Sequence, residues 1–352
     1  MSLINAKHKA AGHDGPVQTE DGSLFCKPTN KQEMDFYAKA AQLSSDGDDS
    51  LPLGSLLTDW MPIHYGSLTA DMQKYTKPKD TGIDKFETNS DVDTRLKKDS
   101  TYIVLQDVLY GFKRPNVLDI KLGSILFDES ASKEKVERMK KVSKSTTSGS
   151  LAFRICGMQM ANDFPGTLPA DISGIDMKGV CDIQEDGYLG FNKFFGRRLT
   201  SKTVVEGLRI FFRYNKLDRD TQDQMIKTFT MRLMMFYNCI LDSEIRAVSS
   251  SLLFVYENDQ QVWKLKNYED PLIKESEVGG DGDVDAGGNF DSNVDGNDDN
   301  ENYNDNANAE QRAPLSELKY IDFAHSKFTP GKGYDEEIAQ GVENLISLMK
   351  RI

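Results

Sequence analysis

Residues 114–128 read RPNVLDIKLGSILFD, and within them VLDIKLG has the β-branched and apolar content of a short strand. Alternate side chains of a strand share a face, so Leu118, Ile120 and Leu122 point one way while Asp119 and Lys121 point the other. An acid and a base side by side before Gly123 read first as an edge strand with a local ion pair, which contributes little. The rest of the chain decides whether that reading survives. A second cluster follows at once, in SKEKVERMKKVSK (132–144). At helical pitch Val136, Met139 and Val142 form a narrow apolar stripe, and Lys133, Lys140 and Lys144 fall within about 40° of one another on the opposite side. Arg138 and Lys141 sit beside them and Lys135 lies nearer the stripe. Six cations against Glu134 and Glu137 make either a solvated face or an anion site for several phosphates at once.

Three further features carry potential chemistry. Lys27 in LFCKP precedes Glu33 at the start of a helix, and protein kinases hold the α- and β-phosphates of ATP with such a strand lysine and helix glutamate. The upstream AAGHDG offers backbone N–H groups but is not GxGxxG. IDFAH (321–325) ends a strand on an acid and a histidine, either a turn or a metal-holding Asp-Phe pair. The serine run of SSSLLFVYE opens an apolar strand and is a cap or a turn.

What must position these residues is a chain of 352 residues, enough for two lobes. Cys26, Cys156, Cys181 and Cys239 lie far apart without CxxC spacing, which argues against a zinc ribbon or disulfide framework. The N-terminus lacks an apolar targeting region and no window offers a membrane span, so a soluble intracellular protein is expected. The net charge of −13 is local: twelve of the 56 acids fall in 275–310, which has no Lys or Arg, and the other 44 stand against 43 bases. That stretch is rich in Gly, Asn and Asp and is expected to be a disordered insert over about 275–312. Its DGDVDAGGNF and DSNVDGNDDNE have the wrong ligand spacing for calcium loops.

The elements expected are a strand at GSLFCKP, a helix at KQEMDFYAKAAQL, a polar loop over 81–100, and the strand TYIVLQDVLYGF. Then come VLDIKLG, the basic helix, the strand LAFRICGMQM, and a helix from Thr200 or Ser201 to about Arg213. A long helix follows with Thr221 and Gln224 as a capping box and Met225, Phe229, Leu233, Phe236 and Ile240 as its core face. The strands SSLLFVYE and LKYIDFAH bracket the acidic stretch, and a helix from Asp335 closes the chain. The pattern is α+β in two lobes.

Pro115, Asp119, Lys121 and Gly123 fill the pattern P-x-x-x-D-x-K-x-G, and SSLLFVYE and IDFAH follow it in order. With these motifs the chain resembles the inositol polyphosphate kinases. The short basic segment after Gly123, with AGHDG, SGSLAFRICGM and FTPGKGYDE, resembles the fungal inositol polyphosphate multikinases in particular. The resemblance leaves out residues 44–100, 161–185 and the acidic stretch. It implies a fold similar to that of protein kinases, with an N-lobe over 1–108, a hinge at 106–110 and a C-lobe over 111–352.

Carried over residue by residue, Lys27 would bind ATP phosphates and Glu33 would orient it. Gln106, Asp107 and Val108 would meet adenine through backbone groups, although many relatives carry Glu where Gln106 stands. Asp119 would hold the nucleotide, Lys121 would reach between the γ-phosphate and the acceptor hydroxyl, and Asp322 would coordinate Mg2+ with Ser250–Ser251, chiefly Ser251, in support. His325 would touch the inositol phosphate, and Lys135, Arg138, Lys140, Lys141 and Lys144 would dock its phosphates. The implied activity is ATP- and Mg2+-dependent phosphorylation of inositol 1,4,5-trisphosphate, and of the tetrakisphosphate it gives, to pentakisphosphate. The rivals are a hexakisphosphate kinase of the same family and an interaction protein whose acidic stretch binds basic partners such as transcription factors. Phosphoinositide headgroups and a nuclear and cytoplasmic location follow from the resemblance alone, and no direct nucleic-acid contact is expected.

Overall fold

The computed structural model describes residues 3–7, 15–46, 50–69, 74–76, 96, 100–163, 171–172, 174–268 and 315–352. Residues 10–14 of AAGHDG, the stretch 275–312 and, apart from 96 and 100, the loop 81–100 lie outside them. The architecture is α+β, built on two six-stranded sheets. The first holds β1 (Leu3–Asn5), β2 (Val17–Thr19), β3 (Leu24–Pro28), β4 (His64–Thr69), β5 (Lys74–Thr76) and β6 (Thr101–Gln106), in the order β1-β2-β3-β6-β4-β5. Its alternation is clean on β6: Tyr102 and Val104 pack with Leu3, Val17 and Cys26 on one face, while Ile103 and Leu105 face the main core. Helix α1 (Lys31–Ser45) covers that inner face with Phe36, Tyr37 and Ala40 at helical spacing. The short α2 (Leu57–Trp60) adds Trp60.

The second sheet contains β7 (Pro115–Leu122) and β8 (Phe153–Ala161). After a small hairpin, β9 (Asp171–Ile172) and β10 (Ile175–Asp176), come β11 (Cys181–Ile183) and β12 (Tyr188–Phe191). The ribbon strand β13 (Ile245–Ala247) precedes β14 (Ser251–Glu257) and β15 (Ser316–Ile321), and β16 (Ser326–Phe328) pairs back onto β13. The order β11-β12-β8-β7-β14-β15 puts β7 in the interior, antiparallel to β8 and β14. VLDIKLG is therefore not an edge strand. Leu118, Ile120 and Leu122 are 0%, 0% and 1% exposed, which anchors the strand by one face and leaves the other for Asp119 and Lys121. Gly123 ends it at φ +85°, a conformation that costs a side-chain residue but not glycine, and donates to Ala152 O at 2.7 Å.

Helices α3 (Lys133–Lys144) and α4 (Thr147–Leu151) bridge β7 to β8, and α5 (Lys193–Arg198), α6 (Val204–Arg213), α7 (Arg219–Leu241), α8 (Gln260–Leu265) and α9 (Glu336–Met349) complete the lobe. The five core positions expected on α7 are all fully buried. Its cap is not the one expected. Asp218 accepts from Thr221 N–H at 2.9 Å, so Thr221 is the third helical residue, and the Gln224 side chain donates to Tyr268 O instead. An aspartate three residues earlier outcompetes threonine because its carboxylate also complements the helix dipole. Helix α6 opens at Val204 rather than Thr200 or Ser201, because the Thr200 and Thr203 hydroxyls are spent on each other's backbone N–H groups in the preceding turn. The strand expected at TYIVLQDVLYGF stops at Gln106, where the Asp107 carboxylate accepts from Leu109 N–H at 2.9 Å and turns the chain. In α9, Gly341 allows close approach to the turn between α4 and β8: a Cβ there would lie 2.3 Å from Ala152 O.

Candidate active site

Three separate segments meet at Lys27. Strand β3 delivers it opposite Ile103, and Asn30 caps α1 by accepting from Glu33 N–H at 2.9 Å, which places Glu33 in the first turn at 1% exposure. Lys27 Nζ lies 2.8 Å from Glu33 Oε1 and 2.7 Å from Asp322 Oδ1. Glu33 is satisfied on both oxygens, accepting from Phe323 N–H at 3.0 Å and from the Thr29 hydroxyl at 2.8 Å. Burial opposes the charge on Lys27, but the Asp322 and Glu33 carboxylates outweigh it and raise its pKa above the ordinary lysine value. Asp322 takes φ +70°, a left-handed conformation that aspartate tolerates better than most residues. The start of α1 is stitched to the same segment by Asn30 Nδ2 to Ala324 O (3.0 Å) and Gln32 Nε2 to Ser326 O (3.1 Å). Phe36 stacks between Phe323 and Phe328 at 4.7 and 4.8 Å.

Across from this cluster lie Asp119 and Lys121. A bulge on the β8 side follows Asp119, which faces Gly157. Asp119 is 7% exposed, and its Oδ1 has no hydrogen-bond partner. Burial and the Asp322 charge push its carboxyl up to about 6, against the pull of Lys121 and the nearby Ser251 hydroxyl. Lys121 Nζ donates to Ser249 O at 2.5 Å, and among the described residues no ion pair joins it to Asp119. The two side chains are therefore not each other's partners.

The register of β14 explains the serines. Ser251 stands opposite both Lys121 and Ile321, the residue before Asp322, and its buried Oγ lies near the Asp119 carboxyl without completing a hydrogen bond of ordinary geometry. Ser250 points the other way, donating to Ala247 O and sharing a 2.8 Å hydrogen bond with the Tyr320 hydroxyl. The fold thus brings Lys27, Glu33, Asp119, Lys121, Ser251 and Asp322 to one place.

Of the residues expected to form a hinge, Gln106 ends β6 and Asp107 and Val108 follow it. Gln106 N–H donates to Ile63 O at 2.8 Å and Asp107 N–H to Ser23 O at 3.0 Å, so Val108 supplies the one hinge N–H without a protein partner among the described residues. The Asp107 side chain is buried, and burial pushes its pKa up to about 6 against the Leu109 hydrogen bond. Because the folded value exceeds the ordinary 3.8, the stability it supplies is present below that pH and is lost as pH rises through about 6. Asp107→Asn keeps an oxygen for Leu109 N–H without the charge. It should raise unfolding free energy by about 1–3 kcal/mol at pH 7.5 and leave it unchanged at pH 4. Urea unfolding at the two pH values checks this, and an equal gain at both would contradict it.

Helix α3 runs Lys133–Lys144, with Ser132 as its cap, and contains no buried residue. Lys135, Val136, Met139 and Val142 are half-buried, whereas Arg138, Lys140, Lys141 and Lys144 are exposed. Among the described residues its ion pairing is limited to Lys140–Glu137 at 3.5 Å, so the cationic face is available to an anion. Among the described residues no hydrogen bond or ion pair ties these cations to the Lys121 cluster. His325 does not join that cluster directly either: its Nδ1 lies 2.5 Å from Asp128 Oδ2. Sequence reasoning passed over Thr29, Asn30 and Asp128. Asn30 had a legible signal, an Asn three residues before the buried Glu33, whereas Asp128 had only the local Asp-x-Ser turn pattern.

The sequence model of the family "Inositol polyphosphate kinase" matches residues 102–350. The chain belongs to the inositol polyphosphate kinase family. It is 39% identical to the inositol polyphosphate multikinase of Saccharomyces cerevisiae over 98% of this chain and 97% of that one. It is 30% identical to the Schizosaccharomyces pombe multikinase over 73% of this chain and 80% of that one. A crystal structure of the S. cerevisiae inositol phosphate multikinase in complex with ADP and Mn2+ superposes with a TM-score of 0.65 at 34% identity, covering 94% of this chain and 98% of that one. The expected resemblance to the fungal members of the family is therefore borne out, as is the two-lobed, protein-kinase-like α+β fold. The family model begins at residue 102, so the similarity over Lys27 and Glu33 rests on the near full-length relative.

Proposed function

We infer that this inositol polyphosphate kinase transfers the γ-phosphoryl group of ATP to inositol 1,4,5-trisphosphate, and then to the tetrakisphosphate so formed, giving pentakisphosphate. The observation that carries the reading is the convergence of Lys27, Asp119, Lys121, Ser251 and Asp322 in the cleft between the two sheets. Phosphoryl transfer asks little covalent help of a protein and much alignment and charge neutralisation.

The residues present fit a divalent ion. Asp119 Oδ1 and Ser251 Oγ are buried without completed hydrogen bonds, and Asp322 lies beside them with a carboxylate 44% exposed. Among the described residues no three acidic, histidine or cysteine side chains form a closed cage. That suits Mg2+, which keeps water and substrate phosphates in its shell. Asp322, with Ser251 in support, would hold it, and the ion would screen charge on the β- and γ-phosphates. Lys27, fixed by Glu33, binds the phosphates. Val108 N–H meets adenine, and Asp119 holds the nucleotide on the sheet side. Lys121 neutralises charge between the γ-phosphate and the acceptor hydroxyl, in a partly desolvated cleft where such contacts strengthen.

The acceptor brings several phosphates of its own. Lys135, Arg138, Lys140, Lys141 and Lys144 of α3, together with His325, form the docking side. An exposed helix dense in charge accepts a ring in more than one pose, which two successive reactions require. Incubation of the purified protein with ATP, Mg2+ and each inositol phosphate in turn tests the assignment. Trisphosphate turnover is expected, and turnover of hexakisphosphate without trisphosphate would make this a pyrophosphate-forming enzyme instead.

The acidic composition of 275–312 supports a second, compatible role in binding basic proteins such as transcription factors; a nuclear as well as cytoplasmic location rests on the family resemblance alone. Deleting residues 276–310 should leave kcat within about twofold of the intact chain and remove pull-down of such partners, given that low-complexity acidic stretches act as tails rather than as parts of a core. Loss of kinase activity in that deletion would contradict it.

A further inference from the structure

The partner of His325 lies 197 residues earlier in the chain. Its Nδ1 is 2.5 Å from Asp128 Oδ2, with the two side chains 35% and 17% exposed. Asp128 is itself locked, because its Oδ1 accepts from Ser130 N–H at 3.0 Å and from the Ser130 hydroxyl at 2.7 Å. This turn closes immediately before Ser132 caps α3 by accepting from Lys135 N–H. A second contact runs parallel to the first, Lys327 Nζ to Glu129 Oε1 at 3.2 Å; its exposed partners make it the weaker of the two. Residues 128–130 therefore join the start of the cationic helix to the segment that carries Asp322. On the far side of that segment, Asn30 and Gln32 of the first lobe hold Ala324 and Ser326. Burial raises the Asp128 pKa, but the Ser130 hydroxyl and His325 outweigh it and hold the carboxyl below its ordinary value. An ionised carboxylate can only accept, so Nδ1 must carry a proton, and the ring presents Nε2 as its remaining polar atom.

We propose that Asp128 is a positioning residue for the acceptor: it fixes the tautomer and ring orientation of His325 and ties the first turn of α3 to the Asp322 segment. This rests on the reading that His325 touches the inositol phosphate. The arrangement gives a site whose cationic helix and histidine are tied together by a half-buried hydrogen bond rather than by either lobe's core.

Asp128→Asn separates this role from a merely structural one. Asparagine still offers an oxygen to Ser130, so the turn survives, but it sets an NH2 donor against Nδ1 and favours the opposite tautomer. The KM for inositol 1,4,5-trisphosphate should rise about tenfold, the cost of one charge-assisted hydrogen bond. The KM for ATP should stay within about twofold, since the nucleotide contacts are untouched. His325→Ala should raise the same KM, and the double variant should be no worse than His325→Ala alone. A wild-type KM in Asp128→Asn beside a raised KM in His325→Ala would overturn the proposal and leave the functional reading intact. A wild-type KM in His325→Ala would overturn the acceptor contact itself. A readout that needs no folded Asp128 variant is 15N NMR of the wild-type protein, whose four histidines are few enough to assign with a His325→Gln reference. A protonated Nδ1 on His325 is expected, and a neutral ring protonated only at Nε2 would overturn the proposal.

Discussion

Asp322→Asn lowers kcat by about a thousandfold or more, the scale seen when one preorganised charge contact to a transferring group is removed, and leaves the fold standing. The carboxylate sits at the end of β15, paired at 2.7 Å with Lys27 and electrostatically coupled to the buried Asp119. On the proposed reading Asp322 would hold the divalent ion, and an amide of the same shape would not neutralise it, so the nucleotide phosphates would lose their alignment as well as their charge screening. Stability changes little for two reasons. Asparagine tolerates the left-handed backbone at φ +70°, and Lys27 keeps Glu33 at 2.8 Å. The expected cost is about 1 kcal/mol, roughly one to two degrees in Tm for a chain of this size. Single-turnover kinetics beside a thermal melt checks both halves. A variant retaining a tenth of wild-type kcat would remove Asp322 from the catalytic machinery.

Lys121→Met is the second large effect, about a hundredfold to a thousandfold in kcat by the same reasoning. The position discriminates between the two readings of VLDIKLG. Were Lys121 one half of an edge-strand ion pair, methionine would cost a few tenths of a kcal/mol of stability and nothing in rate. In the structure β7 is interior, Lys121 has no ion pair with Asp119, and its ammonium meets a backbone carbonyl, Ser249 O, beside the buried Ser251 hydroxyl. Methionine keeps the aliphatic stem against the sheet and removes only the charge. The unfolding free energy should fall by about 1 kcal/mol, the worth of one hydrogen bond. On the proposed reading the KM for ATP should change less than kcat, because Lys27 and residues 106–108, assigned there to the nucleotide, are untouched. Equal losses in stability and rate would point to a structural role.

These effects trace back to features of very different legibility. The faces of β7 and of α7 were readable because periods of two and 3.6 need only neighbouring residues: Leu118, Ile120 and Leu122 are buried as the alternation requires, and so are Met225, Phe229 and Leu233. The signature order of PNVLDIKLG, SSLLFVYE and IDFAH was likewise a property of the chain alone. Local competition was harder. Asp218, Thr221 and Gln224 form two overlapping three-residue capping patterns, and only the geometry decides that Asp218 takes the helix end. Contacts across the fold left no local trace. The bulge after Asp119, the turn that aims Ser251 rather than Ser250 at the cleft, and the meeting of Asp128 with His325 depend on segments brought together by sheet registry. The charged side chains that meet around Lys27 were therefore singled out from the sequence, while Thr29, Asn30 and Asp128, whose hydrogen bonds hold their neighbours in place, were not.

The most direct test of the central claim is the time course of products from inositol 1,4,5-trisphosphate, resolved by phosphate position, with wild-type protein and Lys121→Met side by side. The cleft described above predicts that tetrakisphosphate appears first and is consumed as pentakisphosphate forms, with both steps lost together in Lys121→Met. Trisphosphate left unchanged by the wild type, or one step surviving in the variant, would contradict a single kinase site built on Asp119, Lys121 and Asp322.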